Sequence, residues 1–139
     1  MADFKLAYPK TERFEGGYAM VPGDLGGETY AGITRKNFPK WEGWDIVDAA
    51  KPLKWNQRIK NNLLDDLVEK FYKKVFWDVV DGDDITDQLT AERLFDFGVN
   101  AGQGRSIKEI QEVLGIPQTG KLDAITLDAI NNPAKYLIK

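Results

Sequence analysis

E-R-F-E-G-G-Y-A-M-V-P-G-D-L-G-G-E-T-Y-A-G-I-T runs from Glu12 to Thr34. It sets one carboxylate, Glu15, directly before Gly16 and Gly17. A second, Asp24, follows nine residues later among Gly23, Gly26 and Gly27. Glycine loses more conformational freedom on folding than any other residue, so this density marks a backbone that must turn tightly or lie close to something. One reading is purely structural: the glycine pair stops a helix, and Asp24 bonds its own backbone in a turn. The other is chemical. An acid at a helix end, facing a second acid across a Gly-rich turn, is the carboxylate pair that cleaves a sugar–sugar bond.

Outward from this stretch, the pattern predicts a helix over residues 3–15, with Phe4, Leu6, Ala7 and Phe14 apolar and Pro9 crowding its first turns. Glu15 would sit in the last turn, where the helix dipole disfavours a charged carboxylate. Burial beside Phe14 and Tyr18 would raise its pKa further. Both effects suit a general acid. Residues 19–33 read as an irregular loop or short antiparallel hairpin, Thr29-Tyr30-Ala31 having strand-like content. Thr34 is expected to cap a short helix ending before Pro39. Trp41 and Trp44 fall in a Pro/Gly-containing connection, by default as core residues.

The clearest helix is expected over about 56–77, where Ile59, Leu63, Leu67, Phe71 and Val75 recur every four residues. The acidic run from Asp78 to Thr90 places Asp81, Asp83, Asp87 and Glu92 at calcium-loop spacings, but Thr86 stands where that loop needs glycine. A solvated loop is the better reading, with no metal and no cofactor. Another helix spans about Gln88 to Val99, ended by Asn100-Ala101-Gly102. Ser106-x-x-Glu109 reads as a capping box, Gly115 as the stop of that helix, and Asp123 as the cap of a last helix through Ile130.

The chain has 139 residues, enough for one compact body with a real core. Its net charge is −3, and no broad basic face points to nucleic acid. Against an anionic polymer, local placement of Lys and Arg would then matter more than the total. There are no cysteines and no histidines. Disulfides, Ser-His-Asp and Cys-His catalysis and His-based zinc sites are thereby excluded. Acid–base chemistry must come from Asp, Glu, Lys or Tyr. No apolar run approaches a membrane span, and the opening residues lack the pattern of a signal peptide.

Glu15-Gly16-Gly17-Tyr18 followed by Asp24-x-Gly26-Gly27-x-Thr29-x-x-Gly32-Ile33-Thr34 resembles the signature of glycoside hydrolase family 108, which comprises bacterial and phage N-acetylmuramidases. Phe95-Asp96-Phe97-Gly98-Val99-Asn100-Ala101-Gly102 resembles a second block of the family. Ile110-Gln111-x-x-Leu114-Gly115, with Gly120, Asp123 and Thr126-x-x-Ala129-Ile130, is similar to its predicted peptidoglycan-binding region. The chain departs from the family at Met20-Val21, where an Asn-Asp pair is common.

The resemblance implies a mainly α, lysozyme-like fold with the short hairpin segment near 19–33. It implies a catalytic region over 1–97 and a peptidoglycan-binding-like helical region over 98–139, packed as one body. The implied activity is lysozyme-type: cleavage of the β-1,4 bond from N-acetylmuramic acid to N-acetylglucosamine, with Glu15 as general acid and Asp24 and Thr29 as partners. Tyr18, Gly26, Gly27 and Tyr30 would line the cleft; Asn100 either reaches it or caps its own helix. The expected partner is bacterial peptidoglycan, met by a monomer made in the cytoplasm and released by a holin, a phage lysis event or a secretion apparatus. A lytic transglycosylase and a non-catalytic peptidoglycan-binding protein are the rival readings.

Overall fold

The computed structural model describes residues 1–12, 16–20 and 27–137. The fold is mainly α with one small antiparallel sheet, and it divides into two compact units, Pro9–Phe71 and Met1–Tyr8 with Tyr72–Lys139. Helix α1 (Phe4–Glu12) opens the chain with Pro9 inside it. The expected continuation of that helix to Glu15 lies outside the described residues.

In the Pro9–Phe71 unit the expected loop or hairpin is a three-stranded sheet, β1 (Tyr18–Met20), β2 (Glu28–Tyr30) and β3 (Ile33–Thr34), in sequential order. Tyr18 pairs with Tyr30, Ala19 with Thr29 and Met20 with Glu28; Thr29 also pairs with Thr34. Side chains alternate across a strand, so Tyr18, Glu28 and Tyr30 share one face while Ala19, Thr29 and Thr34 share the other. The helix expected after Thr34 is only a turn, in which Phe38 N–H donates to Thr34 O at 3.0 Å. Helix α2 (Gly43–Ala50) stands where the sequence reading had a connection; Trp44 and Val47 are its buried face. The core role expected for Trp44 holds, and Trp41 links it to Phe71: Trp41 stands edge-on to Trp44 at 5.3 Å and lies 6.3 Å from the phenyl ring.

The long helix expected over 56–77 is shorter. Helix α3 covers Asn62–Tyr72, with Asn61 Oδ1 accepting from Leu64 N–H at 2.9 Å as its cap. Residues 73–77 widen into a π-turn. The buried stripe is Leu64, Val68 and Tyr72, whereas Leu63 is 61% exposed. Two stripes one residue apart fit the same period, and burial selected the second.

In the other unit α4 (Gln88–Ala101) and α5 (Gln103–Leu114) pack together, followed by α6 (Ala124–Asn131) and α7 (Pro133–Leu137). Its aromatic centre is Phe4, Trp77 and Phe95, with centroids 5.5–5.9 Å apart. The acidic stretch after Trp77 forms two 3-10 turns; Asp83 accepts from Trp77 Nε1 at 2.8 Å and Asp87 caps α4 through Thr90 N–H at 2.9 Å. Ser106 does not open a helix as a capping residue. It lies within α5, buried, and donates to Leu94 O at 3.0 Å, joining α5 to α4. Asp123 caps α6 as expected, accepting from Thr126 N–H at 2.9 Å, and Gly115 ends α5 in a left-handed conformation.

The turn between α5 and α6 is organised by one fully buried amide. The two N–H groups of Gln111 Nε2 are shared among Thr119 Oγ1, Lys121 O and Thr126 Oγ1 at 2.9–3.1 Å, while its Oε1 accepts from Gly120 N–H at 3.0 Å. A leucine there would fill similar volume and strand these partners. Gln111→Leu is therefore expected to cost about 2–3 kcal/mol, read as a lower midpoint in urea unfolding.

Candidate active site

The glycine pair of the opening stretch has a structural cause. Tyr18 N–H donates to Gln57 O at 2.9 Å, and Asn56 N–H donates to Tyr18 O at 2.7 Å, so residues 56–57 add to the free edge of β1. A Cβ on Gly17 would lie 2.3 Å from Gln57 O, and one on Gly16 would lie 2.6 Å from Asn56 Oδ1. At Gly17 only glycine lets the two backbones meet, whereas at Gly16 it is the Asn56 side chain that a Cβ would displace. Asn56 Oδ1 accepts from Gly17 N–H at 2.9 Å, and Arg58 Nη1 donates to Gly16 O at 3.0 Å.

Tyr30, expected at the cleft, is 0% exposed. Its hydroxyl accepts from Ile59 N–H at 2.9 Å, so it props the sheet from within. Tyr18 is half-buried on the same face, its hydroxyl donating to Glu28 Oε2 at 2.8 Å. Thr29 is on the opposite face, half-buried, beside the small side chains of Ala19 and Thr34. Gly27 has φ +56° and open space where a Cβ would be. Asn100 belongs to the other unit and serves its own helix, Nδ2 donating to Asp96 O at 2.8 Å. Glu15, Asp24 and Gly26 lie outside the described residues. Along the chain, Glu15 comes three residues before β1 and Asp24 lies between β1 and β2.

Sequence reading missed Glu28, a buried carboxylate at the centre of a charged network. Arg35 Nη1 donates to Glu28 Oε1 at 2.9 Å, and the guanidinium grips Asp48 with two bonds of 2.8 and 2.9 Å. Lys51 Nζ bonds Glu28 Oε2 and lies 2.9 Å from Asp48 Oδ1. The guanidinium of Arg35 also lies over Trp44, 5.0 Å from its centroid. Burial pushes the Glu28 carboxyl up, but hydrogen bonds from Lys51, Tyr18 and Arg35 outweigh it and hold the group below its ordinary value. Hydrogen bonds from Arg35 and Lys51 hold Asp48 well below the carboxylate range. The Tyr18 hydroxyl is raised by burial and by its bond to Glu28. Residue type alone could not single out Glu28 from the other acids; a glutamate facing inward from a strand, with Arg35 seven residues on, was the signal.

A carboxyl depressed in the folded state stabilises above its unfolded pKa and loses that contribution as pH falls through the folded value. Melting temperature should therefore drop below about pH 4.5. Glu28→Gln should flatten part of that drop and cost about 2 kcal/mol at pH 7, checked by calorimetry across pH 3–7.

Residues 8–102 match the family model described as glycosyl hydrolase 108. The structure of Brucella abortus SagA is similar at 29% identity and a TM-score of 0.63, with 91% of this chain and 67% of SagA covered. No curated protein matches the chain. Because the family match takes in more than half of the sequence, through the Asn100 block, the chain belongs to glycosyl hydrolase family 108 and is a peptidoglycan-directed glycoside hydrolase.

Proposed function

We propose that the chain is an N-acetylmuramidase, hydrolysing the β-1,4 bond from N-acetylmuramic acid to N-acetylglucosamine. Glu15 gives its proton to the glycosidic oxygen as the bond to C1 breaks. Asp24 stabilises the positive charge that develops at C1 and, with the Thr29 hydroxyl, holds the water that adds there. The product is a free reducing end, and the proton released by the water restores the acid–base pair.

One observation carries this reading: β1, which begins three residues after Glu15, pairs Ala19 directly with Thr29. Three small side chains, Ala19, Thr29 and Thr34, share that sheet face, which suits the approach of a sugar ring. The paired, ionised Glu28 is unsuited to donate a proton, which leaves the donor's role to an acid outside the network. We further infer that residues 98–139 add wall contacts. Delivery by a holin, a phage lysis event or a secretion apparatus, and action as a monomer, complete the reading.

Digestion of purified peptidoglycan, with mass spectrometry of the new ends, tests it. Wild type should release reducing N-acetylmuramic acid ends, and Glu15→Gln should slow this by about 10²–10⁴-fold with folding retained. Anhydro-muramyl ends would make the chain a lytic transglycosylase instead. Undiminished cleavage by Glu15→Gln would remove the assigned donor.

A further inference from the structure

Of the four tryptophans, two are deeply buried: Trp44 is 2% exposed and Trp77 0%. Trp41 packs on Trp44. Trp55 is 73% exposed. It occupies the tip of a turn closed by Gln57 N–H donating to Lys54 O at 3.1 Å, with Gln57 Oε1 accepting from Lys54 N–H at 2.9 Å. Asn56, next to it, is in the left-handed conformation at φ +61°. An exposed indole contributes nothing to a core, yet the turn that carries this one is closed by its own hydrogen bonds. The same turn is bonded to Gly17 and Tyr18, so Trp55 is fixed to the strand that begins just beyond Glu15.

The surrounding charge is equally uneven. Lys51–Lys60 holds Lys51, Lys54, Arg58 and Lys60 and no acidic residue, in a chain of net charge −3. Lys51 is engaged by Glu28 and Asp48. Among the described residues Lys54 and Lys60 form no ion pair, and both are exposed.

We propose that the Lys54–Lys60 segment is a glycan-docking platform, on which Trp55 stacks against a pyranose ring while Lys54 and Lys60 meet carboxylates of the same strand. The proposal rests on the reading of peptidoglycan as substrate, which supplies both chemistries: an apolar C–H face on each sugar, and carboxylates on the lactyl groups and peptides. An aromatic plane takes the first, and a cationic rim attracts the second, more weakly as salt rises. Trp55 is a binding residue here, with no part in proton transfer.

Kinetics of the full chain on purified peptidoglycan test this. Trp55→Ala should raise KM about tenfold with kcat unchanged, the loss of one stacked ring, and Trp55→Tyr should restore most of it. Lys54→Glu with Lys60→Glu should raise KM at low salt and converge toward wild type at high salt. An unchanged KM in Trp55→Ala, or a fall in kcat together with the melting temperature, overturns the platform. Should wild type release no sugar ends, the hydrolase reading fails separately. Tryptophan fluorescence then still decides: N-acetylglucosamine oligosaccharides should change the wild-type signal and not that of Trp55→Ala, and an unresponsive wild type overturns the proposal.

Discussion

Between the backbones of Gly17 and Gln57 there is no room for a methyl group. That close approach is what the Pro9–Phe71 unit is built around. Strands of two or three residues are too short to hold a sheet by themselves. Here the sheet gains a fourth edge from residues 56–57 and a prop from Tyr30, whose hydroxyl takes the Ile59 amide. A side chain at position 17 would push the turn away, and Tyr18, Trp55 and the alignment of Ala19 with Thr29 would all lose their reference.

The second support is electrostatic. Burying a carboxylate costs several kcal/mol unless charged partners and hydrogen bonds offset it. Glu28 has three donors, Tyr18, Arg35 and Lys51, two of them cationic and shared with Asp48. The network clamps the start of β2 to α2 and to the residue that follows it. A carboxylate held ionised in this way serves structure and is poor at giving a proton. Cations not consumed by Glu28 and Asp48 remain on the Lys54–Lys60 segment. An acidic protein can thus carry a locally basic segment.

Much of the element order was legible before the fold. Asp123 as a cap, Gly115 as a stop and α4 as a helix follow from local chemistry, because each satisfies backbone groups within its own turn. Longer-range roles were not. Ser106 and Glu109 matched a capping box, but Ser106 is drawn inward by the Leu94 carbonyl, a partner twelve residues away. Ile59 matched the period of α3, yet its amide is taken by Tyr30 and lies before the helix. Tyr30 itself looked like a cleft residue, and its register on the inward face made it core.

The amino-acid sequence by itself determined that this protein works without histidine, cysteine or disulfides, and that its conspicuous acids and glycines share one short stretch. It also carried the family signature, since motif spacing survives without coordinates. Tertiary structure alone decided why the glycines are there, which acid is locked in ion pairs, and which tryptophan faces solvent. Those properties depend on contacts between residues seven to forty positions apart. Such contacts are set by packing and register, which composition and periodicity do not encode.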